Sequence, residues 1–197
     1  MIADFERELS LARELGQGTL ELMGEFNAGE YLYLMDDLDA AEPHILRAIE
    51  LERRRAGDAG RPVVALLEAR LRLYCGEEEA ARAIVARIRE QQAEASAKGQ
   101  TDMLMAPAEE VLCSMVELSM GDAEASAWDE LEARSARCSV GQEQIEVLES
   151  CALAALRRGR AERARRKLEQ ALVLASRIPN VMDKRLHRWL DEARRLC

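Results

Sequence analysis

Aromatic residues are scarce in this chain: two Phe, three Tyr and two Trp make up 4% of 197 residues. A core must therefore be assembled from Leu, Ala, Ile, Val and Met. No apolar run approaches the ~18 residues that a membrane span needs. Asp4, Glu6, Arg7 and Glu8 put charges where a secretory signal would carry an apolar segment. These absences predict a soluble, cytoplasmic chain with no membrane partner. Sustained apolar–polar alternation bounded by turn residues is missing as well, which argues against a sheet-based fold. The five cysteines, at 75, 113, 138, 151 and 197, form no CxxC pair and are odd in number. They are expected to be free thiols, mostly buried as small hydrophobes.

Catalytic signatures are missing too. There are two histidines, His44 and His187, and neither stands at ligand spacing from a cysteine or carboxylate in the sequence. GxSxG, HExxH and GxxxxGK[ST] do not occur. Gly16-Gln17-Gly18 is too short to cradle a phosphate. The acids Asp36-Asp37 and Glu77-Glu78-Glu79 fall at helix starts, where the helix dipole and solvation account for them. The expectation is a chain that is not an enzyme and holds no cofactor and no metal.

Charged residues, by contrast, are abundant. They are 33% of the chain against 48% hydrophobic, a balance that excludes wholesale disorder. The net charge of −9 disfavours nucleic acid as a partner, because phosphate contacts need a basic surface. The average hides an asymmetry. Residues 157–197 hold 13 Lys+Arg and 5 Asp+Glu, a net of +8, and residues 1–156 hold 15 and 32, a net of −17. Basic solvent faces on the last helices account for this. A charged partner, or a homo-oligomer joined through opposite ends, is the alternative.

Helical periodicity runs throughout. Ala164, Leu168, Ala171, Leu172, Ala175 and Ile178 trace one stripe of a helix, with Arg163, Arg165, Arg166 and Glu169 on its other face. Breaks at Gly16–Gly18, Gly57–Gly60, Gly76, Gly99, Gly121, Gly141, Gly159 and Pro179 divide the chain into about ten helices.

The pattern also repeats. Taking Asp36, Gly76, Gly121 and Gly159 as anchors, Gly29, Ala69, Ser114 and Ala152 stand seven residues before them, and all are small. Five after stand Ala41, Ala81, Ser126 and Ala164, and twelve after stand Ala48, Ile88, Ala133 and Ala171. Each anchor is expected to make a tight turn between two helices. Small residues at matching points let the two backbones approach. One hairpin cannot bury both its faces, but stacked hairpins can.

Residues 27–51 and 151–174 carry these features best, and they resemble tetratricopeptide repeats. The units anchored at Gly76 and Gly121 are weaker, with Arg89 and Arg134 where an apolar residue is expected and Glu130 in place of a large apolar one. The spacing, longer than the usual repeat, is similar to the repeat regions of bacterial signalling proteins such as MalT-like regulators. The resemblance implies an all-α, right-handed α-solenoid forming a single domain over 1–197. Its hairpins fall near 20–56, 59–98, 101–138 and 141–178, with an extra N-terminal helix and a cap at 180–197. In the N-terminal helix Phe5, Leu9, Ala12 and Leu15 share a stripe. In the cap Val181, Leu186, Trp189, Leu190 and Ala193 face one side, and Lys184, Arg185, Arg188 and Arg194 the other. Starting on half a repeat is what a segment of a longer protein would show.

In such arrays the first helices of successive hairpins line a groove. The resemblance places Met23, Phe26, Asn27, Glu30, Leu67, Arg70, Tyr74, Leu112, Met115, Glu149 and Arg157 there. Asn27 matches the asparagine with which chaperone-binding repeats hold a peptide carboxylate. Leu67 and Leu112 stand where that clamp needs polar and basic groups, so a chaperone-tail clamp is not expected. The implied function is a non-catalytic scaffold that binds a peptide or helical segment of a protein partner. The alternative is a sensory or regulatory segment of a larger bacterial signal-transduction or transcription-regulatory protein that binds a small effector.

Overall fold

The structure, a computed structural model, describes residues 2–57, 60–101, 104–138 and 141–197, with side chains from residue 5 onward. Among the described residues it is all-α, with ten helices and no strand. They are α1 (Ile2–Glu14), α2 (Gly18–Leu34), α3 (Leu38–Ala56), α4 (Pro62–Tyr74), α5 (Glu78–Ala97), α6 (Pro107–Ser119), α7 (Ala125–Cys138), α8 (Gln142–Arg157), α9 (Ala161–Ala175) and α10 (Asp183–Leu196). None is long and apolar enough to cross a membrane. The chain divides into two compact units, Met1–Leu104 and Met105–Cys197.

In the first unit α1 packs on α2, α2 on α3, α3 on α4 and α4 on α5, and α2 also touches α4. The α2–α3 and α4–α5 turns have one construction. The N–H of Asp37 donates to the Leu32 carbonyl at 3.0 Å, and that of Glu77 to Arg72 at 2.8 Å. Each is a six-to-one bond that satisfies a terminal carbonyl of the first helix. The turn requires a positive φ, which is 81° at Gly76 and 70° at Asp36, the one described non-glycine residue with φ above zero. Asp37 then caps α3, its carboxylate accepting from the N–H of Ala40 at 3.4 Å.

The turn brings the helices together over the predicted small residues. Ala41, Ala69 and Ala81 are fully buried. A Cβ at Gly29 would meet Ile45 Cγ1 at 2.7 Å and the Ile45 backbone nitrogen at 3.2 Å, so only glycine fits there. Leu22, Ala48 and Val64 form an apolar cluster that ties α2, α3 and α4, with Phe26, Ile49, Leu51 and Val63 packed around it. Truncating a buried leucine in such a cluster costs ~2–5 kcal/mol. Of the predicted α1 stripe, Leu9 and Ala12 are buried, Phe5 is half-buried and meets the Tyr31 ring at a tilt of 59° with centroids 5.9 Å apart, and Leu15 is exposed.

In the second unit α6 packs on α7 and α8, α7 on α8, α8 on α9, and α10 on α9 and α8. The α8–α9 turn repeats the same bond, Arg160 N–H to the Ala155 carbonyl at 2.9 Å, with Gly159 at φ 67°. Asn180 builds the α9–α10 connection. Its amide donates to the Ala175 carbonyl at 2.6 Å and its Oδ1 accepts from the Met182 N–H at 3.0 Å.

The third hairpin departs from expectation. Gly121 does not have a positive φ. Five residues, Met120–Glu124, separate α6 from α7, where three separate the other hairpins' helices. The longer turn delays α7 by two residues and shifts its register. Counted from the helix start, Trp128, not Ser126, corresponds to Ala41, Ala81 and Ala164, and Ser135, not Ala133, to Ala48, Ile88 and Ala171. Trp128 and Ser135 are indeed buried, and Ser126 and Ala133 are exposed. The same shift moves Glu130 onto the exposed phase of Pro43, Ala83 and Arg166. Arg134 reaches back to α6, donating to Ser114 Oγ at 2.5 Å.

Candidate functional site

The first unit brings several predicted residues together on the α2 and α4 helices. Arg70 is 3% exposed, and its Nη1 donates to Glu30 Oε1 at 2.8 Å. Its guanidinium carbon lies 5.0 Å from the centre of the Tyr33 ring, a cation–π contact. Tyr33 meets Tyr74 edge-on with centroids 5.9 Å apart, and the Tyr74 hydroxyl donates to Asp36 Oδ1 at 3.0 Å. Glu30, Arg70 and Tyr74 thus act as one assembly, together with Tyr33 and with Asp36, which sequence reasoning read only as a turn. Met23 and Asn27 are exposed on α2, while Phe26 is half-buried against the apolar cluster. Leu67 is 1% exposed and is core.

In the second unit Leu112 and Met115 are buried in α6. Arg157 is exposed and donates to the Ser119 carbonyl at 2.7 Å. Glu149 is buried, and Arg185 grips it with two bonds, Nε to Oε1 at 2.8 Å and Nη2 to Oε2 at 2.6 Å. This corrects the cap reading. Arg185 was expected on the polar outer face but is 1% exposed. It lies inside because the fork matches the carboxylate bidentately, so neither charge is left unpaired. Of the predicted groove residues, Met23 and Asn27 in the first unit and Arg157 in the second are exposed, whereas Leu67 in the first and Leu112, Met115 and Glu149 in the second are buried.

A second polar cluster ties α1, α2 and α3. Glu25, 1% exposed, pairs with Arg13 Nη2 and lies 2.7 Å, through Oε2, from His44 Nδ1. The carboxylate neighbour of His44 comes from the preceding helix, 19 residues away, and so is not visible as a local spacing in the sequence. Burial pushes the neighbouring Glu21 carboxyl up. Bonds from Arg47, at 2.9 and 3.3 Å, and from Arg13, at 3.3 Å, more than offset this and hold it below the usual carboxylate range. A carboxylate held ionised by two arginines serves as a tie, whereas proton transfer near neutral pH needs a raised value.

The cysteines are less buried than expected. Cys113 and Cys151 are buried, Cys138 is intermediate, and Cys75 and Cys197 are exposed. Burial, with Glu132 nearby, pushes the Cys151 thiol up to about 11, the opposite of an activated nucleophile. Around Pro107, Met105 is half-buried, Met115 and Met120 are buried, and Met103 lies outside the described residues. Among the described residues no group of three or more His, Cys, Asp and Glu side chains is placed to hold a metal ion. No protein-family model, curated protein or solved structure matches the chain.

Proposed function

We propose that this chain is a tetratricopeptide-type helical repeat protein, a right-handed α-solenoid, and that it works as a non-catalytic scaffold binding a peptide or helical segment. One observation carries the reading. Bonds between consecutive hairpins join equivalent positions of their first helices. Glu30 and Arg70 both stand six residues before their anchors, and Ser119 and Arg157 both stand two before theirs. Successive first helices in each unit are therefore neighbours in one phase, the arrangement that lines a binding face in such repeats. Met23 and Asn27 add an exposed apolar and an exposed amide group to that face in the first unit.

The test is site-specific photocrosslinking. A crosslinking residue at Met23 or Asn27 should capture one and the same partner segment. A crosslinker at Arg54, exposed on α3, should not. Equal labelling at all three positions, or none at any, counts against the reading.

A further inference from the structure

We propose that a second copy of this chain docks head to tail, its acidic α1–α2 surface against the basic α9–α10 surface of the first. The proposal uses residues outside the peptide-binding face and does not depend on that reading.

The charges are complementary. Residues 1–46, which span α1, α2 and the start of α3, hold two Lys+Arg and eleven Asp+Glu, a net of −9 in which Glu21 and Glu25 are buried against Arg13 and Arg47, and residues 157–197 have a net of +8. Residues 47–156 hold 13 Lys+Arg and 21 Asp+Glu, a net of −8 spread over 110 residues, so the acidic excess is densest near the N-terminal end and the C-terminal end alone is basic. Opposed fields of this kind steer encounter and fix register.

Each surface also carries apolar groups for a dry contact. Leu11 and Leu15 are 55 and 61% exposed at the C-terminal end of α1. Leu11 is one turn before Leu15, which continues the stripe of the buried Leu9 and Ala12 but lies past Glu14, the last residue of α1, and so is not packed inward. The exposed residues Arg7, Glu8, Arg13 and Glu14 flank them. On α9, Val173, 53% exposed, and Leu174 floor a shallow depression of about 440 Å³ lined also by Arg166, Glu169, Gln170 and Arg177. Leucines beside Glu8 and Glu14 thus have a counterpart of aliphatic floor beside Arg166 and Arg177. The two surfaces differ, so the contact is heterologous: each copy keeps one free donor and one free acceptor surface.

Sedimentation velocity tests this with two single variants, Leu15→Asn and Val173→Glu. Both positions are exposed, so the fold should survive, and circular dichroism checks it. The unaltered chain should self-associate as concentration rises at low salt, and should dissociate in about 1 M salt, where screening falls to ~3 Å. Each variant alone should associate roughly tenfold or more weakly, because an unpaired amide at position 15, or a carboxylate opposing carboxylates at position 173, then faces the contact. An equimolar mixture should form a one-to-one dimer, since it holds one intact surface of each kind. A chain that stays monomeric at low salt overturns the proposal. So does a mixture no more associated than its components, the mark of a symmetric contact or of none.

Discussion

Replacing Arg185 by methionine keeps an aliphatic stem and removes the guanidinium. The side chains of Arg185 and Glu149 are 1% and 3% exposed, and two short bonds join them. The variant strands the Glu149 carboxylate in a site that water does not reach. Breaking a buried pair by removing one partner costs ~3–5 kcal/mol, of which most is the penalty for the charge left behind. The Arg195–Glu192 pair on the same helix offers a control, being 72% and 39% exposed. Arg195→Met should cost at most ~1 kcal/mol. The double variant Arg185→Met, Glu149→Leu removes both charges and should recover much of the loss. Urea unfolding of the two single variants and the double variant gives the coupling energy directly. The reasoning fails if Arg185→Met costs less than about 1 kcal/mol, or if the two single losses add in the double variant.

Three further outcomes follow from local geometry. Asp36 holds a positive φ, so Asp36→Ala should be less stable than Asp36→Gly by ~1–2 kcal/mol; both lose the Tyr74 bond, and urea midpoints isolate the backbone term. Burial pushes the Glu52 carboxyl up, but Arg55 and the Arg61 N–H at 2.7 Å bring it below the ordinary range. Its contribution is therefore full above pH ~4.3 and is lost as pH falls through the folded value. Glu52→Gln should cost ~1.5–3 kcal/mol at neutral pH and flatten the acid limb of stability against pH; an unchanged limb would contradict this. With a disulfide thiol reagent, Cys75 and Cys197 should react first and Cys138 more slowly, while Cys113 and Cys151 should wait for denaturant; peptide mapping of the labelled chain decides.

Where the sequence was informative, one helix or one turn held the whole signal. The stripe Ala164, Leu168, Ala171 and Ala175 is buried as its spacing predicts, and Gly76 and Gly159 turn with positive φ. What escaped depended on a second element. The α7 register turns on two extra loop residues, and counting from Gly121 could not detect them. Arg185 was placed with the charges, yet it lies three residues after Met182 and four before Trp189, in phase with the buried side of α10. Reading that phase together with Glu149, 36 residues earlier, could have found the pair. The expected groove floor was legible as apolar, but which leucines are covered depends on the helices that pack over them. Leu67 and Leu112 show this, being predicted at the surface and found in the core.

The bonds between hairpins also bear on how the polypeptide comes into being. Glu30–Arg70, Asp36–Tyr74, Ser119–Arg157 and Glu149–Arg185 join residues 36–40 positions apart. Synthesis of forty residues takes ~2–8 s at ordinary ribosome speeds, so each emerging helix finds its mate soon after leaving the exit tunnel. Such short loops carry a small closure entropy and favour rapid ordering. The nascent chain can therefore zip up behind the ribosome, with little apolar surface waiting for a distant strand of protein to arrive.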